Sequence, residues 1–365
     1  MRQLTPRVDS LSQIGGVTVL EKSVRELHST EWRNLMKIAF FDTHRFDRDA
    51  FEAENSSFGH TISYFEPRLT DETAALAKGY LAVCAFANDR LNVGTLTLLR
   101  EGETELIALR SAGYNHVDLK AAAALGLRVV RVPNYSPYSV AEHAVGLLLA
   151  LNRKIHRAYA RVRELNFSLD GLVGMDIHGK TVGVVGTGKI GCAFARIMLG
   201  FGCRVLAYDI ASKEELSQLG VQYVPLLQLL SESDILSLHV PLVPATRHLI
   251  SDSAFETMKP GAFLINTGRG ALIDTKSLVQ QLKSGKLGGA ALDVYEEEEN
   301  VFFKDLSSQG LQDDVLARLL TFPNVLITSH QGFLTHEALK NIARTTLENV
   351  RDFEQGKELL NEVRS

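Results

Sequence analysis

The sequence predicts an α/β protein of two domains built on parallel sheets. Three observations lead there. The chain has 365 residues, which corresponds to two or three domains of ordinary size. Hydrophobic residues make up 45% and charged residues 22%, enough apolar surface for sizeable cores and unlike a disordered or fibrous chain. Short β-forming runs alternate with helical stretches along most of its length, the pattern of strands joined by crossover helices.

Charge and patterning exclude several kinds of partner. The 39 basic and 43 acidic residues, net −4, are mixed, and no basic block tracks phosphates, so no nucleic-acid partner is expected. The longest apolar run, Ala144 to Leu151, is far shorter than the ~20 residues that cross a bilayer, and it reads as a buried helix. The first residues lack the continuous apolar segment of a secretory signal, and Asp9, Glu21, Glu26 and Glu31 offset the arginines of a transit peptide. Cys84, Cys192 and Cys203 are too few and too scattered for a disulfide framework or a metal site, so reduced thiols are expected. The expectation is a soluble cytoplasmic protein with no membrane partner.

Residues 1–35 stand apart. They read either as a flexible, disordered extension or as the product of an upstream start codon, and no function is attached to them. Met36 opens MKIAFFD, an apolar strand running into a polar turn. The first series of strands is Lys37–Asp42, Leu81–Phe86, Glu105–Leu109 and Arg128–Val132. Pro133 and Pro137 then interrupt regular structure. A long helix is predicted from about Ser139 to Glu164, with Arg153, Lys154, Arg157, Arg161 and Arg163 towards its end. Cations there suit the negative end of the helix dipole, so this run reads as a solvated face. After the loop Gly171–Gly179 a second series begins: Thr181–Val185, Arg204–Tyr208, Ile235–His239, Ala262–Asn266, Gly289–Val294 and Val325–Thr328. Six strands separated by helices describe a doubly wound sheet. An amphipathic helix from Thr335 to about Lys357 closes the chain.

The most specific local signal is KTVGVVGTGKIG, in which a β-branched strand runs into Gly186-x-Gly188-x-x-Gly191 as a helix opens. The glycine spacing alone occurs by chance. Here the preceding strand, the following helix and an acid, Asp209, at the end of the next strand are all present, giving a Rossmann-type dinucleotide site. Gly186 allows the tight turn, Gly188 lets a pyrophosphate approach, and Gly191 permits close helix–strand packing. The helix N-terminus supplies N–H donors and positive potential to the phosphates. The Asp209 carboxylate would accept from the ribose diol and repel a 2′-phosphate, and Lys213 is the only nearby cation. NAD is therefore expected as the cofactor rather than NADP.

Three further segments carry polar residues at strand ends: INTGRG with Arg269, LDVYEEEE with Asp293 and Glu298, and ITSHQGF with His330. With these the chain resembles the D-specific 2-hydroxyacid dehydrogenases, in particular the fermentative bacterial D-lactate dehydrogenases. The resemblance runs from Met36 to the C-terminus and also takes in LRSAGYNHVDL, VVRVPNYSPYSVAEHAVGLLLALNRKIHRAY, SESDILSLHVPL, NTGRGALID and SHQGFLTHEAL. It implies a catalytic triad. Arg269 would hold the substrate carboxylate through its bidentate fork and polarise the 2-keto oxygen. His330 would be the general acid in reduction and the base in reverse. Glu298 would pair with His330 and favour its charged form.

The resemblance further implies cofactor contacts at Lys189, Ile190, Val240, Pro241, Thr246, Thr267, Gly268 and Asp293. It implies substrate contacts at Ser111, Ala112, Gly113, Tyr135 and Phe333. His143 and His239 are expected to be packing residues, and Glu296, Glu297 and Glu299 a solvated acidic loop. The implied architecture pairs a flavodoxin-like substrate domain, residues 36–134 and 331–365, with an NAD-binding domain, residues 135–330. Tyr135 and His330 then fall at the hinges, so closure and chemistry would be one event. The expected reaction is reduction of pyruvate to D-lactate by a homo-oligomer. The alternatives are a broader D-2-hydroxyacid dehydrogenase and an NAD(H)-sensing binding protein on the same fold.

Overall fold

The computed structural model describes residues 36–364, so the predicted 1–35 extension lies outside the described residues. Two parallel sheets form the frame of the molecule. The first comprises β1 (Lys37–Phe40), β2 (Thr61–Tyr64), β3 (Ala82–Ala85), β4 (Leu106–Leu109) and β5 (Arg128–Val130). Its spatial order, β2-β1-β3-β4-β5, is the flavodoxin-like one. Every residue of β3 and β4 is buried, because helices cover both faces and leave no solvated side for alternation.

The second sheet comprises β6 (Thr181–Val185), β7 (Arg204–Tyr208), β8 (Gln222–Tyr223), β9 (Ile235–Leu238), β10 (Ala262–Asn266), β11 (Leu287–Leu292) and β12 (Val325–Ile327). Its order, β12-β11-β10-β9-β6-β7-β8, reverses at β6, which pairs with β7 on one side and β9 on the other. Such a switch point opens a crevice at the carboxyl ends of the strands, where doubly wound sheets bind ligands.

Two helices carry the chain between the sheets. The first, Pro137–Asn152, starts with Ser136 accepting from Ser139 N–H and Pro137 in its first turn. Its Ala141, Ala144, Leu148 and Leu151 join the core of the second sheet. The last helix, His336–Glu354, is capped by Thr335 and returns Ile342, Ala343, Leu347 and Val350 to the core beneath the first sheet.

The structure corrects the sequence reading at several points. Strands β2 and β8 were not predicted. One is half-exposed and the other has only two residues, so neither presents a clear apolar run. The long helix expected over 139–164 is two helices, Pro137–Asn152 and Ile155–Arg163, broken where Lys154 takes φ of 52°. Asn152 fixes the break by bonding both N–H and C=O of Met175 with its side-chain amide. The final helix stops at Glu354, followed by Gly356 at φ 63°.

Candidate active site

The glycine turn follows the physics of its motif. Gly186 has φ of 95° and lies against the His239 backbone, and a Cβ on Gly191 would stand 1.9 Å from the Gly186 carbonyl oxygen. Any side chain at either position would push the helix off the strand. A Cβ on Gly188 would meet nothing within 4 Å, so this side of the helix N-terminus is open to a pyrophosphate. Asp209 accepts from Thr187 N–H at 2.5 Å, from the Thr187 hydroxyl at 3.0 Å and from Ile210 N–H at 2.6 Å. Burial alone would raise its carboxyl, but these bonds hold it below the ordinary value. The acid is ionised and braced against the turn.

Beyond the turn lies a cleft of about 800 Å³ between the two sheets, lined from both sides. Ser111, Ala112, Gly113, Tyr135 and Phe333 line it, as do Gly188, Lys189, Ile190, Val240, Pro241, Thr267, Gly268, Arg269, Asp293 and His330. Gly186, Gly191, Asp209, Thr246 and Glu298 are not among the lining residues. The Thr246 hydroxyl shapes the Pro241–Val243 loop by donating to Pro241 O at 2.6 Å and accepting from Val243 N–H. The Thr267 hydroxyl is buried in the cleft wall with no hydrogen-bond partner among the described residues. The open Gly188 face and this hydroxyl fit a dinucleotide.

Arg269 packs beside two sterically required glycines, Gly270 next to it in sequence and Gly113 from the first sheet. A Cβ on Gly270 would lie 2.0 Å from the Tyr295 backbone, and one on Gly113 would lie 1.8 Å from the Arg269 guanidinium. The guanidinium therefore rests directly on the 111–113 loop, joining strand ends of both sheets. Arg131, Lys189 and Arg269 line the cleft beside the carboxylate of Asp293, while Arg110, also in the wall, is paired with the buried Asp47; the remaining cations suit an anionic substrate. Burial raises the Tyr135 phenol above its usual range, and the charge of Arg269 partly offsets this.

His330 Nδ1 lies 2.7 Å from Glu298 Oε1, and both side chains are mostly buried. Its backbone is left-handed, with φ of 50°, a strained state for a residue other than glycine. Several bonds enforce it. His330 N–H donates to Asp293 O, and the N–H groups of Gln331 and Gly332 donate to the Asp293 carboxylate. The Ser139 hydroxyl then donates to Gly332 O at 2.7 Å.

His239 is a packing residue. Its imidazole packs tilted against Phe194 and bonds Ser237 beside the cleft wall, and burial pushes it down to about 3, so it stays neutral at working pH. His143 and Glu296 differ from expectation. His143 Nε2 lies 3.2 Å from Asp293 Oδ1 and braces the hinge. Glu296 is no solvated acid, because its carboxylate reaches His248 at 2.6 Å and also Arg247 and Thr275. Glu299 is half-exposed as expected but pairs with Arg90.

The sequence reading missed Phe86, Arg131 and Phe303 in the cleft wall. Phe86 and Arg131 follow the ends of β3 and β5, where the strand-end rule would have found them. Phe303 lies on an irregular turn that carries no sequence signal. Asn115 also escaped notice; its amide bridges the cleft to Leu242 O at 3.1 Å.

Comparison with known proteins agrees with this geometry. Residues 145–332 match the family described as D-isomer specific 2-hydroxyacid dehydrogenase, NAD binding domain. The chain is 52% identical over 319 residues to 2-hydroxyacid dehydrogenase homolog 1 of Schizosaccharomyces pombe, covering 87% of this chain and 96% of that protein. It is 50% identical over 328 residues to D-lactate dehydrogenase of Escherichia coli, covering 90% of this chain and 100% of that protein. A solved structure of the pyruvate reductase of Chlamydomonas reinhardtii superposes with a TM-score of 0.85 at 44% identity, over 90% of this chain and 98% of the other. A dinucleotide turn, an arginine and a histidine–glutamate pair facing one cleft, and half-identical relatives along almost the whole length together place the chain in the D-isomer specific 2-hydroxyacid dehydrogenases, an NAD-dependent family of oxidoreductases.

Proposed function

We propose that the chain reduces pyruvate to D-lactate with NADH, and that Arg269, His330 and Glu298 carry the reaction. The observation that carries this reading is the 2.7 Å His330–Glu298 pair in the same cleft as an arginine braced on the 111–113 loop. Two relatives bear the names D-lactate dehydrogenase and pyruvate reductase, which supports pyruvate as the keto acid.

Bound NADH would supply the hydride. Arg269 pairs with the substrate carboxylate and polarises the keto oxygen, while the N–H groups of 111–113 complete the carboxylate's hydrogen bonds. Glu298 engages His330 Nδ1, which leaves Nε2 to deliver its proton to the oxygen as hydride reaches carbon. Phe86, Phe303, Phe333 and Tyr135 wall the substrate's side-chain end and exclude water, which favours a short 2-keto acid. Gly186, Gly188, Lys189, Ile190, Gly191, Asp209, Val240, Pro241, Thr246, Thr267, Gly268 and Asp293 form the cofactor site in this reading.

The substrate domain is then 36–134 with 331–365, and the NAD-binding domain 135–330. Among the described residues no helix is long and apolar enough to cross a membrane. The three cysteines are free and buried, which supports a cytoplasmic location.

The assembly we propose is a homo-oligomer. Helix Ile155–Arg163 is amphipathic yet has no fully buried residue among the described residues, and Ile155, Tyr159, Val162, Leu165, Phe167, Leu169 and Val173 are all exposed. So many exposed apolar side chains on one segment suit cover, and a second copy presenting the same segment supplies it. Phe167→Asp should shift the sedimentation coefficient to that of a smaller species; a monomeric parent would refute the assembly.

A panel of 2-keto acids with NADH and chiral product analysis tests the reaction. Pyruvate should give the highest kcat/KM and only D-lactate. A bulkier keto acid in first place would move the assignment to the broader dehydrogenase.

A further inference from the structure

One guanidinium without a role so far ties the two sides of the cleft together. Arg68, on the loop after β2, donates to the carbonyls of Glu299 and Phe302, the latter at 2.8 Å. Its side chain is 16% exposed, and its Nε lies 3.8 Å from the Asp42 carboxylate. The loop that carries it is rigidly held. The Thr73 hydroxyl donates to Arg68 O, and the buried Asp89 carboxylate accepts from Leu69 N–H at 2.7 Å and from Phe86 N–H at 2.6 Å. One carboxylate thus sets both the Arg68 loop and the Phe86 wall.

The turn that Arg68 grips holds the parts the chemistry needs in register. Glu298 accepts from Tyr295 N–H as well as holding His330, and its carbonyl accepts from Val301 and Phe302 N–H. Phe303 follows at φ 63°, with its ring centroid 6.1 Å from His330 and 5.3 Å from Phe86. A planar guanidinium on two carbonyls is a directional, charge-assisted clamp. The neighbouring Arg90–Glu299 pair is more than half exposed on both sides, so it contributes little.

We propose that Arg68 is a positioning residue: by clamping the Glu299 and Phe302 carbonyls it docks the Glu298–Phe303 turn, so that closing the cleft completes both the His330–Glu298 pair and the aromatic wall. The proposal rests on the reading of this cleft as the site of keto-acid reduction. When the cleft opens the clamp breaks, and the turn is free to drift from His330.

The test compares Arg68→Ala, Arg68→Lys and Arg90→Ala in the full-length protein. With Arg68→Ala, kcat/KM for pyruvate should fall about 10–100-fold, mostly through kcat, the loss expected for hydrogen bonds to a charged group. NADH affinity should stay within about twofold. The preference for pyruvate over 2-ketobutyrate should narrow severalfold as Phe303 loses its anchor, an effect that lost stability alone does not produce. Arg68→Lys, which can keep one of the two bonds, should fall between, and Arg90→Ala should stay within about threefold of the parent.

Hydrogen exchange over 298–303 gives a readout independent of turnover. NADH with oxamate should slow exchange there in the parent but much less in Arg68→Ala. A parent inactive with pyruvate yet showing this difference would sink the pyruvate reading and leave the clamp standing. An Arg68→Ala protein with parental exchange and parental keto-acid preference would overturn the clamp. If Arg68→Ala does not fold, the same two measurements on Arg68→Lys decide.

Discussion

At the scale of single residues, the site depends on how closely unlike groups approach. Gly113 is the sharpest case, because a Cβ there would lie 1.8 Å from the end of the Arg269 side chain. An arginine terminus can swing away while backbone cannot, so Gly113→Ala should fold normally and misplace the guanidinium. We expect kcat/KM for pyruvate to fall by about 10²-fold with NADH binding intact, and a variant as active as the parent would contradict the placement. The acid–base pair allows a second test. His330→Ala should lower turnover by roughly 10²–10⁴-fold, while Glu298→Gln should preserve shape and remove charge. The partner of His330 Nδ1 then keeps its hydrogen bond but loses its charge, so kcat for pyruvate should fall about 10-fold with NADH affinity unchanged; a parental kcat would remove Glu298 from the pair.

At the scale of elements, the hinge after β12 is the part whose logic is most visible. His330 holds its left-handed φ because the Asp293 carboxylate gathers Gln331, Gly332, Thr328 and His143 around it. Burial would raise the Asp293 carboxyl, yet hydrogen bonds from His143, Thr328 and Gln331 keep it below its ordinary 3.8. A depressed folded-state value stabilises the protein above the unfolded value and is lost as pH falls through the folded one. Asp293→Asn should therefore cost about 1–3 kcal/mol at pH 7, and urea unfolding at pH 3 should show the gap closing. A gap that is the same at both pH values would mean the charge is not what stabilises the hinge.

This scale also shows where the sequence was legible. Buried parallel strands such as β3, β4 and β6 announce themselves as unbroken apolar runs, and the glycine turn is read from the backbone demands of its own motif. Edge strands β2 and β8 are half-exposed or very short and leave no such trace. The break at Lys154 depends on Asn152 bonding Met175, a contact between residues well separated in sequence. Arg269, Glu298 and His330 were reached through resemblance, and local spacing alone would not have put the glutamate beside the histidine. Glu296 and Glu298 are two residues apart and read alike, and only the fold sends one to His248 and the other to His330.

At the scale of the whole molecule, the described residues from Met36 onward contain both sheets and every residue assigned to the site. A protein starting at Met36 should fold and retain full kcat and KM for pyruvate, measured beside the complete chain; an inactive or insoluble product would give residues 1–35 a structural part. The chain passes between the two sheets twice, between β5 and β6 and again after β12. The passes are lashed to each other by the Ser139 hydroxyl on Gly332 O and by the Asn341 amide on Tyr135 O, each at 2.7 Å. His330 and Tyr135 lie within a few residues of these pins in sequence, whereas the 111–113 loop and Arg68 belong to the first sheet's own loops. A turn of one half about these pins would move the 111–113 loop and Arg68 most and His330, the proton donor we propose, least.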